Sequence, residues 1–419
     1  MKHKLLALLL ALVLAIAPAA SAFAAETPAV SEVKAEAKKT AEAVLPQITF
    51  DSSLAEGSNF YNYTRALVLA IRAGADTSAK VSEFLAAVDD HCLGDDGAMN
   101  TGCPVVSYAL LLMVLALDGQ DASDYNGINL VEKFNDAAAA ADLSAENAYF
   151  LPLIYQAADA YADQMNDADS IKSAVASRVK SLESDEGLDV WGGYPSVDDN
   201  GIILSGLSKE KSLADVADKA TAWSAAQKEG DIFVSWGVPS ANSGGSGLAL
   251  FAVYGPEEEA ASTYAGLLTL KDPADNGMYD PDSYNPLLAT VDALFGLVTY
   301  EHMLSGETHP FDVSDCLPIE KEEPESTEES TEESTEESTE ESTEESTEES
   351  TTAEETKPEE TEPATTTAPT TTAAPETKAD GTTTAANTGD DGHGIFFACL
   401  LCAAAAAGTA AMYGKKRAK

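Results

Sequence analysis

The sequence predicts an all-α domain, an α/α toroid of about six helical hairpins spanning residues 25–318, and three observations lead there. First, segments apolar on every side alternate along the chain with segments apolar on one stripe only. The former must be buried all round, and the latter read as an outer layer. Second, the loops ahead of the later apolar segments resemble one another. Trp191-Gly192-Gly193-Tyr194, Trp236-Gly237 and Gly277-Met278-Tyr279 recur roughly every 45 residues, within the range of stacked helical repeats. Third, the stretch from Gln227 to Leu270 lays out one whole unit. A loop from Gly230 to Gly245 feeds an apolar helix, Ser246 to Tyr254, then a Gly255-Pro256 turn and an amphipathic helix, Glu257 to Leu270. Apolar helices bury all their faces by closing into an inner ring, and strict alternation supplies the outer one. An open solenoid would leave the most apolar helices partly exposed.

In chain order, the first amphipathic helix runs from Ser31 to Leu45 and stops at Pro46. Phe60 to Ala73 is apolar and carries Tyr61, Tyr63 and Arg65; Ser78 to Asp89 is its amphipathic partner. Val105 to Leu117 is the most apolar helix, reached through Pro104 at its first turn, and Asn129 to Ala141 follows. Ala145 to Tyr161 pairs with Ser170 to Ser181, and Gly201 to Leu207 with Leu213 to Gln227. After the Gln227–Leu270 unit, Leu287 to Leu304 is a last apolar helix. Tyr63, Tyr108, Tyr149 and Tyr254 are expected on or near the inner helices.

The 419 residues divide by composition. Residues 1–24 read as a signal peptide: Lys2 and Lys4, an apolar run from Leu5 to Ala17, then Ala22-Phe23-Ala24, with cleavage between Ala24 and Ala25. Signal peptidase is the first expected partner, and an oxidising exterior the destination. There, Cys92 and Cys103, close in sequence around a Gly-rich segment, are expected to form a disulfide. Residues 319–386 form a disordered Ser/Thr/Glu/Pro-rich stalk. Ser326 to Glu349 repeats Ser-Thr-Glu-Glu, with no apolar side chain to build a core. The net charge of -47 owes much to this stalk and argues against nucleic acid or anionic lipid as a partner. Residues 387–419 join Asn387-Thr388-Gly389-Asp390, an apolar span over 395–413 long enough to cross a bilayer, and the basic end Lys415 to Lys419.

Two resemblances follow from these residues. The segment from Thr290 to Tyr300, followed by Pro310-Phe311-Asp312-Val313-Ser314-Asp315, resembles the last repeat of the prenyltransferase and squalene-cyclase-like toroid, a domain that bacterial surface proteins also carry. The loop Gln227…Gly230…Trp236 is similar to a degraded Gln-Trp repeat of the cyclases. The C-terminal three-part segment resembles the sortase sorting signal of Gram-positive cell-wall proteins, with Ala385-Ala386 where Leu-Pro usually stands. This resemblance implies cleavage between Thr388 and Gly389 and attachment to peptidoglycan, with the membrane touched only through residues 395–413 before sorting. The alternative is a plasma-membrane protein held by that span.

Catalytic motifs of the resembled enzymes are missing. No Asp-x-Asp-Asp acid is present, and Asp198-Asp199 in Val197-Asp198-Asp199-Asn200 reads as helix capping. Asp90-His91-Cys92 offers an Asp-x-Cys pattern like that of the zinc-binding protein prenyltransferases, but it ends an outer helix and Cys92 has a better partner in Cys103, so no cofactor is expected. Acidic residues in loops expected at one end of the ring, Asp95, Asp96, Asp198, Asp199, Asp275 and Asp280, with Asp282 beside them, are the candidates for calcium if they converge; a solvated acidic rim is the simpler reading. The leading expectation is a non-catalytic binding or adhesion module displayed on the cell surface, with an unknown extracellular ligand. An alternative is an enzyme on a polysaccharide or lipid-like substrate using Asp198 and Asp292, since glycosidases need two opposed carboxylates. By resemblance to the toroid of cobalamin carriers, a binder of a corrinoid or hydrophobic ligand is the third reading.

Overall fold

A computed structural model describes residues 26–317. The expected signal cleavage at Ala24 and Ala25, the stalk, the sorting residues Thr388 and Gly389 and the span 395–413 lie outside the described residues.

The described chain is mostly helical, with two small antiparallel sheets. Twelve α-helices occur among the described residues. They are α1 (Val30–Val44), α2 (Asn59–Arg72), α3 (Ser78–Ala87), α4 (Pro104–Leu117), α5 (Leu130–Ala140), α6 (Leu151–Ala160), α7 (Ala168–Lys180), α8 (Val197–Asp199), α9 (Ala214–Ala225), α10 (Ala241–Tyr254), α11 (Glu257–Leu268) and α12 (Pro286–Ser305). A π-helical turn extends α3 over Val88–Cys92, and another carries α8 on through Asn200–Leu204. The strands are β1 (Glu183–Ser184) with β2 (Gly187–Leu188), and β3 (Lys228–Glu229), β4 (Ile232–Ser235) and β5 (Val238–Pro239).

The alternation expected from the sequence is present in burial. In α4 every residue from Val105 to Ala116 is buried, and in α12 every residue from Ala289 to His302. In α1 only Val33, Ala37, Thr40, Ala41 and Val44 are, one stripe of a half-exposed helix. The apolar helices touch in sequence: α2 against α4, α4 against α6, α6 against the π turn of α8, that turn against α10, α10 against α12, and α12 against α2. The amphipathic helices lie over them, α5 on α4, α7 on α6, α9 on α10, α11 on α10 and α12, and α1 on α12 and α2. Although α12 is long and apolar enough to cross a membrane, most of it is buried inside the domain.

Hydrogen bonds give the repeat its register. Tyr149 to Asp199, Gln156 to Gly206 O, Tyr254 to Leu204 O and Asn242 to Asp292 each join residues fifty positions apart. The loop similarity in the sequence suggests a slightly shorter period. The segment after α12 is fastened to α2: Arg72 donates to Pro310 O (3.1 Å) and Asp312 O (2.5 Å) and pairs with the Asp315 carboxylate (2.7 Å). Phe311 stacks on Phe295 with centroids 5.7 Å apart.

Several boundaries differ from expectation. Helix α6 starts at Leu151 rather than Ala145, because Pro152 suits a first turn and residues 145–150 turn instead. Helix α8 starts at Val197 rather than Gly201, capped by Ser196, whose Oγ accepts from Asp199 N at 3.0 Å. Asp198 and Asp199 are therefore first-turn residues and not the cap. Helix α10 starts at Ala241 rather than Ser246, capped by Ser240. Gly244 and Gly245 read as loop but are helical, and at Gly245 a neighbouring backbone approaches too closely for a side chain. A Cβ on Gly245 would lie 2.0 Å from Asp292 O, and one on Gly296 2.3 Å from Gly245 O. The rest of that loop folds as the β3–β4–β5 sheet.

The expected Cys92–Cys103 disulfide is not formed; both thiols are free and buried. Cys92 ends the π turn, where burial pushes its thiol up to about 11. The Cys103 sulfur instead lies 3.7 Å from both Gly57 O and Ser107 Oγ. Cys316 is also free.

Candidate functional site ahead of α8, α10 and α12

Among the described residues, the large hydrophobic side chains left exposed are Trp191, Tyr194, Trp236, Val238, Tyr284 and Leu288. All six lie in the segments leading into α8, α10 and α12 or, for Leu288, in the first turn of α12. Two of these segments are built to hold their rings outward. Asp189 accepts from Gly193 N at 2.6 and 2.8 Å and from Tyr194 N at 3.3 Å, which folds the Trp191–Tyr194 loop back on itself. Trp236 and Gly237 form the two-residue turn between β4 and β5, with φ of 55° and 83°. Both positions are left-handed, the turn type that favours Asn-Gly. A tryptophan, 78% exposed, occupies the first instead. Backbone cost borne by an exposed ring with no packing return points to a role outside folding.

Next to Trp191 lies a buried polar cluster. Arg65 on α2 pairs with Asp292 on α12 at 2.8 Å, both side chains almost wholly buried. Asn242 on α10 donates to the other Asp292 oxygen at 2.8 Å, and the Phe295 ring covers the guanidinium at 5.1 Å. Asp199 is fully buried and accepts from the Tyr149 hydroxyl and from Trp191 Nε1 (3.3 Å). That second bond ties the aromatic loop directly to the cluster. Asp198, half-buried, sits beside them.

Burial, then the neighbouring charge of Asp292, raises Asp198 to about 7, against a smaller opposing pull from the Ser243 hydroxyl. Burial likewise raises Asp199 to about 6, partly offset by the Tyr149, Ser196 and Trp191 hydrogen bonds. Burial and the two aspartates hold the Tyr149 hydroxyl far above its usual range, so it stays a donor. Within the described residues, several buried polar atoms of this cluster have no partner: Arg65 Nε and Nη2, Asp198 Oδ1 and Asp199 Oδ2. Leaving a buried polar group unpaired costs about 1–3 kcal/mol, so these atoms mark the cluster as a costly part of the core.

The sequence-expected residues divide cleanly. Asp198 lies near enough to Asp292 to feel its charge, while Asp292 itself is buried with both oxygens taken by Arg65 and Asn242. The calcium candidates form no shared cluster among the described residues. Asp95 and Asp96 are exposed, Asp96 accepting from Ala98 N at 3.0 Å; Asp275 pairs with Lys39 (2.5 Å) and Lys271 (3.1 Å); Asp280 sits in a turn, its carbonyl accepting from Ser283 N at 3.0 Å. A local turn engages Asp96 and ion pairs engage Asp275 where they stand. Glu301, His302 and Glu307, among the described residues, are near enough to one another to share an ion, and none of the expected aspartates belongs to that group. His302, near the end of α12, contacts the following chain, its Nδ1 lying 2.7 Å from Thr308 O.

Sequence reasoning misses Arg65, Asn242 and Tyr284 as site residues. Arg65 has a readable signal, a lone cation between the apolar run from Ala66 to Ile71 and the aromatic turn before it; Asn242 has none. A scan of the chain against known protein families finds no match, and a search of curated proteins finds none either.

Proposed function

We propose that the protein is a binding module displayed on a bacterial cell surface, whose binding face is formed by the segments leading into α8, α10 and α12. The gathering of every exposed large hydrophobic side chain of the described residues at those segments carries this reading. We take the domain to be a closed α/α toroid related to the prenyltransferase and squalene-cyclase-like proteins. The return of helix contacts from α12 to α2, the fifty-residue register and the Arg72 fastening support it. The stalk would hold the domain off the wall, and Thr388-Gly389 would be the sortase cleavage point.

Two experiments test this. Cells displaying the full chain should adhere to a panel of immobilised polysaccharides and proteins, and a Trp191→Ser/Trp236→Ser/Tyr284→Ser triple variant at equal surface density should not. Equal adhesion by both removes the binding face. Hot detergent should leave the chain on washed walls and a muralytic enzyme should release it; detergent release, or unchanged retention of Thr388→Ala, makes it a membrane-held protein.

One observation favours an enzyme as second reading: Asp198 is an acid held near neutral pH beside a second carboxylate, Asp292, that is already ion-paired. Turnover of an oligosaccharide abolished by Asp198→Asn with the fold intact would establish it. Absence of turnover in the wild-type chain would leave the binding module alone.

A further inference from the structure

We infer that Glu301, His302 and Glu307, gathered at the C-terminal end of α12, form a site for one divalent transition-metal ion of the zinc type. The site is separate from the aromatic binding face and does not depend on it.

The way α12 ends builds the site. Gly306 is left-handed, with φ of 72°, and turns the chain back on the helix. Glu307 N then donates to His302 O at 2.8 Å and Gly306 N to Met303 O at 3.3 Å, the paired bonds of a Schellman cap. The turn brings Thr308 O to 2.7 Å from His302 Nδ1. A carbonyl only accepts, so Nδ1 carries the ring proton and the neutral ring keeps its lone pair on Nε2. That nitrogen faces two carboxylate oxygens, Glu307 Oε2 at 3.7 Å and Glu301 Oε2 at 3.9 Å. All three ligand atoms lie within 4.8 Å of one another.

These separations suit an ion better than a proton. A charged imidazole would draw a carboxylate in to about 2.7–2.9 Å, and both stand farther off. Zinc lies about 2.0–2.2 Å from nitrogen and oxygen ligands, which at tetrahedral to trigonal angles sets neighbouring ligand atoms roughly 3.3–3.8 Å apart. Glu301 is aimed for this role. Neighbours on a helix do not ordinarily face one another, but Ser305 Oγ, one turn on, holds Glu301 Oε1 at 3.1 Å, and Lys34 Nζ meets the same oxygen at 3.4 Å. Oε2 is left for the ion, oriented by outer bonds as metal ligands are. An imidazole with two carboxylates is a zinc donor set, whereas calcium and magnesium take oxygen.

The His302 and Glu301 side chains are almost wholly buried, but the Glu307 side chain is 51% exposed and that of Lys34 56%. An ion therefore reaches the three ligands from the surface without opening the core. Once bound, it ties α12 to the following segment, which Arg72 fastens to α2.

The test is titration of the chelator-stripped mature chain with zinc chloride, and separately with calcium and magnesium chloride. The wild type should take up one more zinc per chain than His302→Gln, and zinc should raise the melting temperature of the wild type above any change in the variant. Glu307→Gln, a change at an exposed carboxylate, should weaken the site about tenfold or more with the fold kept. Ser305→Ala, which frees Glu301 to turn away, should weaken it by about 10–100-fold. Lys34→Gln should tighten it by removing a nearby positive charge. Cations taken up by the Glu-rich stalk are common to every variant and cancel in these differences, and calcium and magnesium uptake should be the same in all. Equal zinc uptake and equal melting shifts in the wild type, His302→Gln and Glu307→Gln overturn the inference. Calcium or magnesium binding that depends on the same residues overturns the zinc assignment. If His302→Gln does not fold, Glu307→Gln decides alone.

Discussion

The loops ahead of α4 and of α8 show two ways of starting a buried helix. Ahead of α4 the loop is sealed. The Tyr108 hydroxyl donates to Gly97 O (2.6 Å) and accepts from Met99 N (2.9 Å), while Thr101 and Ser107 share a bond at 2.9 Å. Ahead of α8 the loop is open: Trp191 and Tyr194 face solvent, and Asp198 and Asp199 keep unpartnered oxygens. A tyrosine is used in both places, in the first to close a turn and in the second, as Tyr149, to hold a carboxylate. Satisfied polar groups stabilise; unsatisfied ones are tolerated only where something else is gained. The open loop is therefore where function is to be sought, and the sealed and open loops should respond differently to mutation.

The largest difference is expected at the ion pair behind the open loop. Arg65→Met should destabilise the domain by about 3–5 kcal/mol in urea denaturation, because it strands Asp292 in the core. Arg65→Met with Asp292→Leu should recover much of that. Should the single variant behave like a surface change, the cluster is not a buried centre.

The second contrast is in pH. Asp198 and Asp199 are raised from 3.8 to about 7 and about 6 by burial. Between the unfolded and folded values the folded state binds more protons than the unfolded, so stability is full below about pH 4 and declines as pH rises through 6 to 7. Each group contributes at most about 1.4 kcal/mol per pH unit. The groups facing Asp198 are Asp292 from α12, Ser243 from α10 and Asp199 on its own helix, with Arg65 of α2 paired to Asp292. Denaturation midpoints followed from pH 4 to 8 should therefore fall in the wild type and fall less in Asp198→Asn. A slope unchanged by the substitution would detach Asp198 from this role, and Tyr108→Phe at the sealed loop should leave the slope alone.

At the rim, Trp236→Asn should raise stability by about 1 kcal/mol, since it places Asn-Gly where both residues are left-handed. It should weaken ligand binding at the same time, separating a functional ring from a folding one. Stability lost on this change would mean the indole is packing after all. The smallest effect is expected at the cysteines beside the sealed loop. With Cys92 and Cys103 free, reductant should move stability by no more than about 0.5 kcal/mol. A larger loss under reductant would restore the disulfide.

Helix identity is legible in the sequence because burial writes itself into composition. A helix covered on all sides, such as α4, admits almost no polar residue, and one covered on a single side keeps a stripe, as in α1. Proline at first turns and Gly255-Pro256 mark boundaries by local backbone chemistry. The starts of α8 and α10 are not legible. Val197–Asn200 and Ala241–Gly245 are rich in Asp, Asn, Ser and Gly, which locally favour turns. They are helical because α8, α10 and α12 approach so closely that only glycine fits at Gly201, Gly245 and Gly296.

The site divides in the same way. Trp191, Trp236, Asp198 and Asp292 stand out one by one, as ring-bearing loops and as acids on helices expected to be buried. The convergence of Trp191, Asp198 and Asp292 with Arg65, Asn242 and Tyr149 belongs to tertiary structure alone. Arg65 and Asp292 lie 227 residues apart, and no local pattern couples them. What the sequence by itself determined is which segments are helices and which faces they bury, since each follows from short-range periodicity. The tertiary structure decided which polar residues face one another in the core, because that depends on how distant helices close together.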